Sequence, residues 1–349
     1  MSETPHSKSR RVTLADVARE VGVSTALVSI VMRGVPGASP ATRDRIQQAA
    51  NDLGYVPDSR ARVLRQGRSQ LLGVMFDVQH PFHADLLEGI YAAAEPAGYD
   101  VVLSAVAATR SEERAVNTLL ADRCEALILL GPKAPKRWLA TLAARIPVVV
   151  VARTLKDPAI DVVRTADAEG IQLAVDHLVG LGHTRITHID GGDAPGATQR
   201  RRGYRSAMHR HGLDAHVQIV PGGLAEDSAA RATNTLLAQK TLPTGILAFN
   251  DRCATGVLDI LLRAGVAIPG QVSVVGFDDS HLAGFSHINL TTVRQDASVM
   301  AELAVDRAIQ RLTHQADTPL SDAGGHQVVI PPTLVIRGTT GPIAHVLPT

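Results

Sequence analysis

From Leu71 onward the chain alternates short runs of Val, Ile and Leu with segments long enough for a helix, a rhythm that few folds accept. LLGVMF precedes a helix expected over Phe82–Ala97, and DVVLSAV one over Glu112–Arg123. ALILLG leads into Lys136–Ala144, with PVVVVA after it. A second series starts near Ile160: IDVVRT before Glu169–Leu181, RITHIDG before Arg200–His211, VQIV before Ser228–Gln239, GILAF before Arg252–Ala264, then VSVVGFD. Strands that are apolar along their whole length are buried on both faces, as in parallel sheets covered by helices. Two such series predict an α/β body of two doubly wound lobes. Ligands of such sheets sit beyond the carboxyl ends of the strands.

The first 70 residues follow a different pattern. In VTLADVAREVGVSTALVSIVMR, from Val12 to Arg33, Leu14, Val17, Ala18 and Val21 share one helical face. Gly22-Val23 interrupts it, and Ser24 is placed to cap a second helix through its hydroxyl. That helix turns Val28, Val31 and Met32 one way and Thr25, Ala26, Ser29 and Arg33 the other. Ser39 and Pro40 open a third helix, with Ile46, Ala49, Ala50 and Leu53 as its apolar side, and Gly54-Tyr55-Val56-Pro57 closes it. Two short helices joined by a Gly-containing turn match a helix-turn-helix, whose second helix enters a DNA major groove. Thr25 and Ala26 then lie where side chains meet base edges; both can touch a thymine methyl, and Ser29 can bond a base or phosphate.

Charge points the same way. Residues 1–70 carry eleven basic and six acidic side chains, a surplus of +5, which leaves −4 for the rest of a chain whose total is +1. A basic head on a slightly acidic body favours a polyanion at the head alone. Between them, PDSRARVLRQGR has room for about two helical turns, too few for stability in isolation. This linker is expected to order only against a partner. Leu64 among arginines is then a wedge for the minor groove, where apolar side chains inserted between base steps kink the duplex.

VTLADVAREVGVS, SPATRDRIQQAANDLGYVPDSRARVLRQGRS, LLGVMFDVQHPF, LGHTRITHIDG, GILAFNDRCA, VVGFDD and PPTLVIRG, in this order and spacing, resemble the LacI/GalR family of bacterial transcriptional regulators. The resemblance implies a disordered N-terminus over 1–10 and a helix-turn-helix domain over 11–56. A hinge follows over 57–69, then a two-lobed, periplasmic-binding-protein-like effector and dimerisation domain over 70–349. Its first lobe is expected over about 70–166 plus 295–325 and its second over about 167–294 plus 326–340. The helix Gln295–His314 would belong to the first lobe, and the terminal VVIPPTLVIR to the second.

It further implies major-groove contacts from Ser24, Thr25, Ala26, Ser29 and Arg33, and minor-groove contacts from Ala61, Arg62, Leu64 and Arg65. Leu27 and Ile30 stand where relatives often carry Thr and Arg, so the operator sequence does not transfer. Asp58 and Arg60 also depart from the family's hinge.

The polar groups at strand ends are Asp77, Asn250-Asp251 and Asp278-Asp279, and Arg200 opens a helix nearby. Such a set suits vicinal hydroxyls or a polar ring. The resemblance assigns effector contacts to Arg200, Asn250 and Asp278, with Phe82 and His83 lining the first lobe. Leu224 falls where relatives place a stacking aromatic, and with 3% aromatic residues overall the sugar assignment loses its usual platform. Asp279 reads as a turn residue. The expected partners are near-palindromic operator DNA, a small sugar-like effector and a second copy of the chain, as a homodimer or a tetramer built from it.

No cofactor or metal is expected. His80 and His83 are spaced for one helix face without a completing carboxylate or cysteine. The glycine pairs at 191–192 and 222–223 form no phosphate-binding fingerprint, and no nucleophile elbow, Walker loop or zinc-protease motif suggests an enzyme. Cys124 and Cys253 read as free thiols of a reducing compartment. The polar N-terminus and the lack of a spanning apolar run predict a cytoplasmic protein. The alternatives are a solute-binding protein without DNA function, the same regulator with a nucleoside or purine effector, and a sugar- or nucleotide-modifying enzyme.

Overall fold

The computed structural model describes residues 12–32, 34–55, 68–314 and 326–343. The chain divides into two compact units, Met1–Ser69 and Gln70–Thr349. The proposed disordered start and most of the hinge lie outside the described residues.

The first unit is three helices, α1 (Leu14–Val21), α2 (Thr25–Met32) and α3 (Pro40–Asp52). Thr13 and Asp16 form a reciprocal capping box at the start of α1, the Asp16 carboxylate accepting the Thr13 N–H at 2.9 Å. Gly22 ends α1 in the left-handed region, φ 73°. The Ser24 hydroxyl then accepts the Leu27 N–H at 3.2 Å, and Ser39 does the same for Thr42 at 3.3 Å. Val17, Ala18, Val28, Val31, Ile46 and Ala50 form the buried core, two from each helix. Two of the basic residues serve this packing. Arg45 donates to the Val21 carbonyl at the end of α1 at 3.1 Å, and Arg43 to the Val35 carbonyl beyond α2 at 2.9 Å.

The second unit holds two six-stranded sheets. The first contains β1 (Leu71–Asp77), β2 (Asp100–Val106), β3 (Ala126–Leu130), β4 (Val148–Val151), β5 (Asp161–Thr165) and β11 (Gln327–Ile330), in the order β11-β5-β4-β3-β1-β2. The second contains β6 (Ile186–Asp190), β7 (Gln218–Pro221), β8 (Gly245–Ala248), β9 (Ser273–Asp278), β10 (Thr291–Arg294) and β12 (Thr333–Val335), in the order β12-β10-β9-β8-β6-β7. Every neighbouring pair is parallel except β10 with β12. The strands β3, β4 and β8 are buried at every residue, as their unbroken apolar runs require.

Two sequence expectations need correction. IDVVRT, which the strand–helix rhythm puts at the start of the second series although the expected lobe boundary near 166 leaves it in the first lobe, is β5 of the first sheet and pairs with β4. The terminal VVIPPTLVIR does not enter the second lobe whole: Gln327–Ile330 pairs with β5 in the first sheet, and only Thr333–Val335 reaches β10. Pro331 and Pro332 stand between the two pieces. With no N–H to give, they end one ladder and let the chain pass to the other lobe.

Of the helices that matter here, α4 spans Pro81–Ala94, α5 Glu112–Ala121, α6 Lys136–Ala143 and α7 Asp167–Gly180. They are followed by α8 (Ala197–Arg210), α9 (Glu226–Leu237), α10 (Asp251–Arg263) and α11 (Ala297–His314). In α11, Met300, Ala301, Ala304, Val305 and Ala308 are buried with Leu86 and Ile90 of α4, against the first sheet. The chain thus crosses between lobes three times, after β5, β10 and β11. No helix among the described residues is long and apolar enough to cross a membrane.

Candidate functional site

Each sheet reverses its winding once, between β1 and β3 in the first lobe and between β6 and β8 in the second. A ligand crevice belongs outside the carboxyl ends of strands at such points. A cleft opens there, lined by residues of both lobes. All seven effector residues named from the sequence line it: Asp77, Phe82 and His83 from the first lobe, and Arg200, Leu224, Asn250 and Asp278 from the second.

The second-lobe wall is charged and heavily braced. Arg200, in the first turn of α8, is only 5% exposed. Its Nε donates to Asp167 Oδ1 at 2.9 Å and its Nη1 to the Phe249 carbonyl at 2.6 Å. The guanidinium lies 3.5 Å from the centroid of Phe277. Gly203 makes this reach possible, since a Cβ there would fall 2.4 Å from the Ala168 carbonyl where α7 and α8 cross. Asp278 holds φ 122° and accepts from Gln295 Nε2 at 2.7 Å. Burial pushes its carboxyl well above the usual range, although Arg200 pulls the other way. Burial also raises Asp251, to about 7, while Thr292 and Ser280 bond its oxygens.

Asn250 caps α10, its Oδ1 accepting the Cys253 N–H at 2.7 Å. Its Nδ2 is buried and has no partner among the described residues. An amide nitrogen without a bond in a buried site carries a cost that a ligand acceptor would remove.

The first-lobe wall sets two uncharged imidazoles beside the side chains of Asp77 and Lys133. His80 stands just before α4, where its side chain makes no capping bond, and stacks on His83, ring centroids 4.5 Å apart and planes within 9°. His83 Nδ1 accepts the Asp77 N–H at 3.0 Å, which leaves the proton of a neutral ring on Nε2. Burial lowers His80 to about 4 and His83 well below the ordinary imidazole value. The Nδ1 of His80 is a second buried atom of the site without a partner among the described residues.

Sequence reading missed several lining residues: His80, Gly131, Lys133, Ala152, Pro195, Phe249 and Gln295. Gly131, Ala152 and Phe249 follow strands directly, a signal that was available. The brace Asp167 was hidden because α7 begins at Asp167, two residues before the expected Glu169. Asp279, read as a turn residue, has φ 54° and also accepts from Arg294 and Arg337 at 2.6 Å each, joining β9, β10 and the chain beyond β12. Among the described residues no cluster of His, Cys, Asp or Glu is arranged to hold a metal ion.

In the head, Ser24, Thr25 and Ala26 are exposed at the start of α2. Ser29, expected on the same open side, is instead 9% exposed against the core. A helix in a three-helix unit turns less than half its circumference outward, and Ser29 falls on the flank next to Val28. Arg33, Ala61, Arg62, Leu64 and Arg65 lie outside the described residues.

A helix-turn-helix head and a two-lobed body around a polar cleft define a class of DNA-binding regulators that carry a small-molecule receptor. Residues 13–58 match the model of bacterial regulatory proteins of the lacI family, and residues 175–340 that of a periplasmic binding protein-like domain. The ribose operon repressor of Escherichia coli (strain K12) is 32% identical over 310 residues, covering 86% of this chain and 93% of that one. A crystal structure of a LacI transcriptional regulator from a Rhodococcus species is 51% identical with a TM-score of 0.75, covering 79% of this chain and 100% of that one. The lac repressor dimer bound to operator and the anti-inducer ONPF is 28% identical with a TM-score of 0.79, covering 95% and 100%. The chain belongs to the lacI family of bacterial regulatory proteins and is a DNA-binding transcription regulator.

Proposed function

We propose that this regulator is a repressor, bound to a near-palindromic operator as a homodimer, and that a neutral polyhydroxylated metabolite of the sugar class occupies the cleft and sets its DNA affinity. The reading of the cleft rests on the unpartnered Nδ2 of Asn250, set beside Arg200 and Asp278 in the lining. A ligand hydroxyl or ring oxygen satisfies that donor. The opposite pKa shifts of the two walls support a neutral ligand: burial withholds protons from His80 and His83 and keeps one on Asp278. The relatives agree with it, since one is named a repressor of a ribose operon and another was solved as a dimer on its operator.

On the DNA side, Ser24, Thr25 and Ala26 meet the major groove, and Ala61, Arg62, Leu64 and Arg65 the minor groove. Ligand and operator then oppose or assist each other by one shared coupling factor. A thermal-shift screen of the full chain against neutral sugars, polyols, sugar acids and nucleosides tests the reading. It expects the largest stabilisation from a neutral sugar or polyol. A largest response from a nucleoside or a charged sugar acid overturns that ligand class. Mobility shift with genomic fragments tests the operator.

A further inference from the structure

Apart from the three crossing segments, only two polar contacts among the described residues join one lobe to the other. Arg252 makes the first. Its Nε and Nη2 each hold Glu226 Oε2 of the second lobe at 2.7 Å. Its Nη1 donates to the backbone carbonyl of Gln79 in the first lobe at 2.7 Å. In the second, the backbone N–H and Nδ1 of His281 meet the Asp85 carboxylate at 3.4 and 3.2 Å.

Both ends of the Arg252 bridge are held stiffly. The Gln79 N–H donates to Asp77 Oδ1 at 2.9 Å, which fixes the turn that presents the carbonyl. Gly256 lets the start of α9 lie against α10, because a Cβ there would fall 2.3 Å from the Glu226 carbonyl. The Arg252 guanidinium holds the Glu226 carboxyl below its ordinary range. Every member of the bridge adjoins the cleft lining: Gln79 precedes His80, Arg252 follows Asn250 by two, and Glu226 follows Leu224 by two. Arg252 itself does not line the cleft.

We propose, on the reading that this cleft is the effector site, that Arg252 is a positioning residue for effector binding: by tying Glu226 to the Gln79 carbonyl it holds the two walls at the separation an effector must span. The bridge raises the fraction of molecules ready to bind, and apparent affinity scales with that fraction. Its effect is therefore the same for every ligand of the cleft, unlike that of a residue that touches the ligand.

The separation is measurable without any effector. Spin labels at Glu113→Cys in the first lobe and Arg205→Cys in the second, on the full chain diluted with unlabelled chain, report the distance by pulsed electron resonance. Cys124 and Cys253 are buried, with thiols pushed up to about 12, so labelling is confined to the new sites. With Arg252 intact a single narrow distance is expected. Arg252→Ala lowers the ratio of closed to open molecules about tenfold, equivalent to about 1.4 kcal/mol, and adds a longer, broader distance. Glu226→Gln, on a half-exposed side chain, gives a smaller change in the same direction and stands in if Arg252→Ala folds poorly. Arg252→Lys, which keeps the charge but not the fork, does not restore the narrow distance. Identical distance distributions in all variants overturn the proposal. That result would leave the ligand class open, because the distance depends on no ligand.

Discussion

The two walls of the cleft come from sheets with the same strand order, yet they are built on different electrostatic plans. The second lobe offers a charged network in which Arg200, Asp167 and the Phe249 carbonyl satisfy one another at 2.6–2.9 Å. The first lobe offers two stacked imidazoles whose charge burial suppresses, with Asp77 and Lys133 beside them. Braced charges need many partners and so come from several elements at once. Neutral rings need few, and a single turn and helix start, Gln79 to His83, supplies them. The comparison teaches that rigidity in this site is asymmetric: one wall is fixed by its own bonds, and the other is placed against it.

The sharpest challenge to that asymmetry is Arg200→Ala. It leaves Asp167 buried and unpaired and should cost about 3–5 kcal/mol in urea unfolding of the full chain. His83→Ala on the other wall loses one backbone hydrogen bond and some packing, and should cost about 1–3 kcal/mol. Equal losses would break the contrast.

Acid probes the first-lobe wall next. His80 titrates near 4 in the folded chain, below the ordinary 6.5, so between those values the unfolded state binds more protons. Its contribution to stability is present above about pH 6.5 and is lost as pH falls towards 4, at about 1.4 kcal/mol per pH unit. Asp251, raised to about 7, acts with the opposite sign over the same window, so the test is a difference. The stability of the wild type relative to His80→Asn should decline as pH is lowered from 6.5 to 4, measured by denaturant unfolding at several pH values. A pH-independent difference would show that His80 does not titrate as described.

A smaller effect on stability separates binding from bracing at Asn250. Ser retains an oxygen for the Cys253 N–H but lacks the amide nitrogen. Asn250→Ser should therefore change stability by less than about 1 kcal/mol while abolishing the thermal-shift response to the best ligand of the screen. A further effect, confined to the head, is expected outside the cleft altogether. Arg45→Ala removes one bond to the end of α1 and should lower the stability of the head by about 1 kcal/mol, with the melting of the body unaffected.

Much of this was readable in the chain. The helices of the head were announced by Ser24, Ser39 and Pro40 at their starts and by Gly22 and Gly54 at their ends, because caps act locally. Polar residues after apolar runs located both cleft walls. Less legible was anything decided by contacts distant in sequence. Whether Asp161–Thr165 joins the first sheet or the second depends on its pairing with β4 and on β11, more than 160 residues away. The inward turn of Ser29 reflects how α2 is rolled against its neighbours, which no periodicity of eight residues resolves. The Arg252 bridge ends on a backbone carbonyl, and carbonyls leave no trace in residue identity.

The central claim, that occupancy of the cleft governs DNA affinity, is tested most directly by fluorescence anisotropy on a labelled genomic fragment that the full chain selects by mobility shift. The titration is run with and without the low-molecular-weight metabolite fraction of the host cells, for the wild type and for Asn250→Ser. The account predicts that the fraction changes the wild-type affinity by a factor of roughly 5–150, the usual span of such coupling, and leaves Asn250→Ser unchanged. An equal change in both proteins, or none in either, would contradict it.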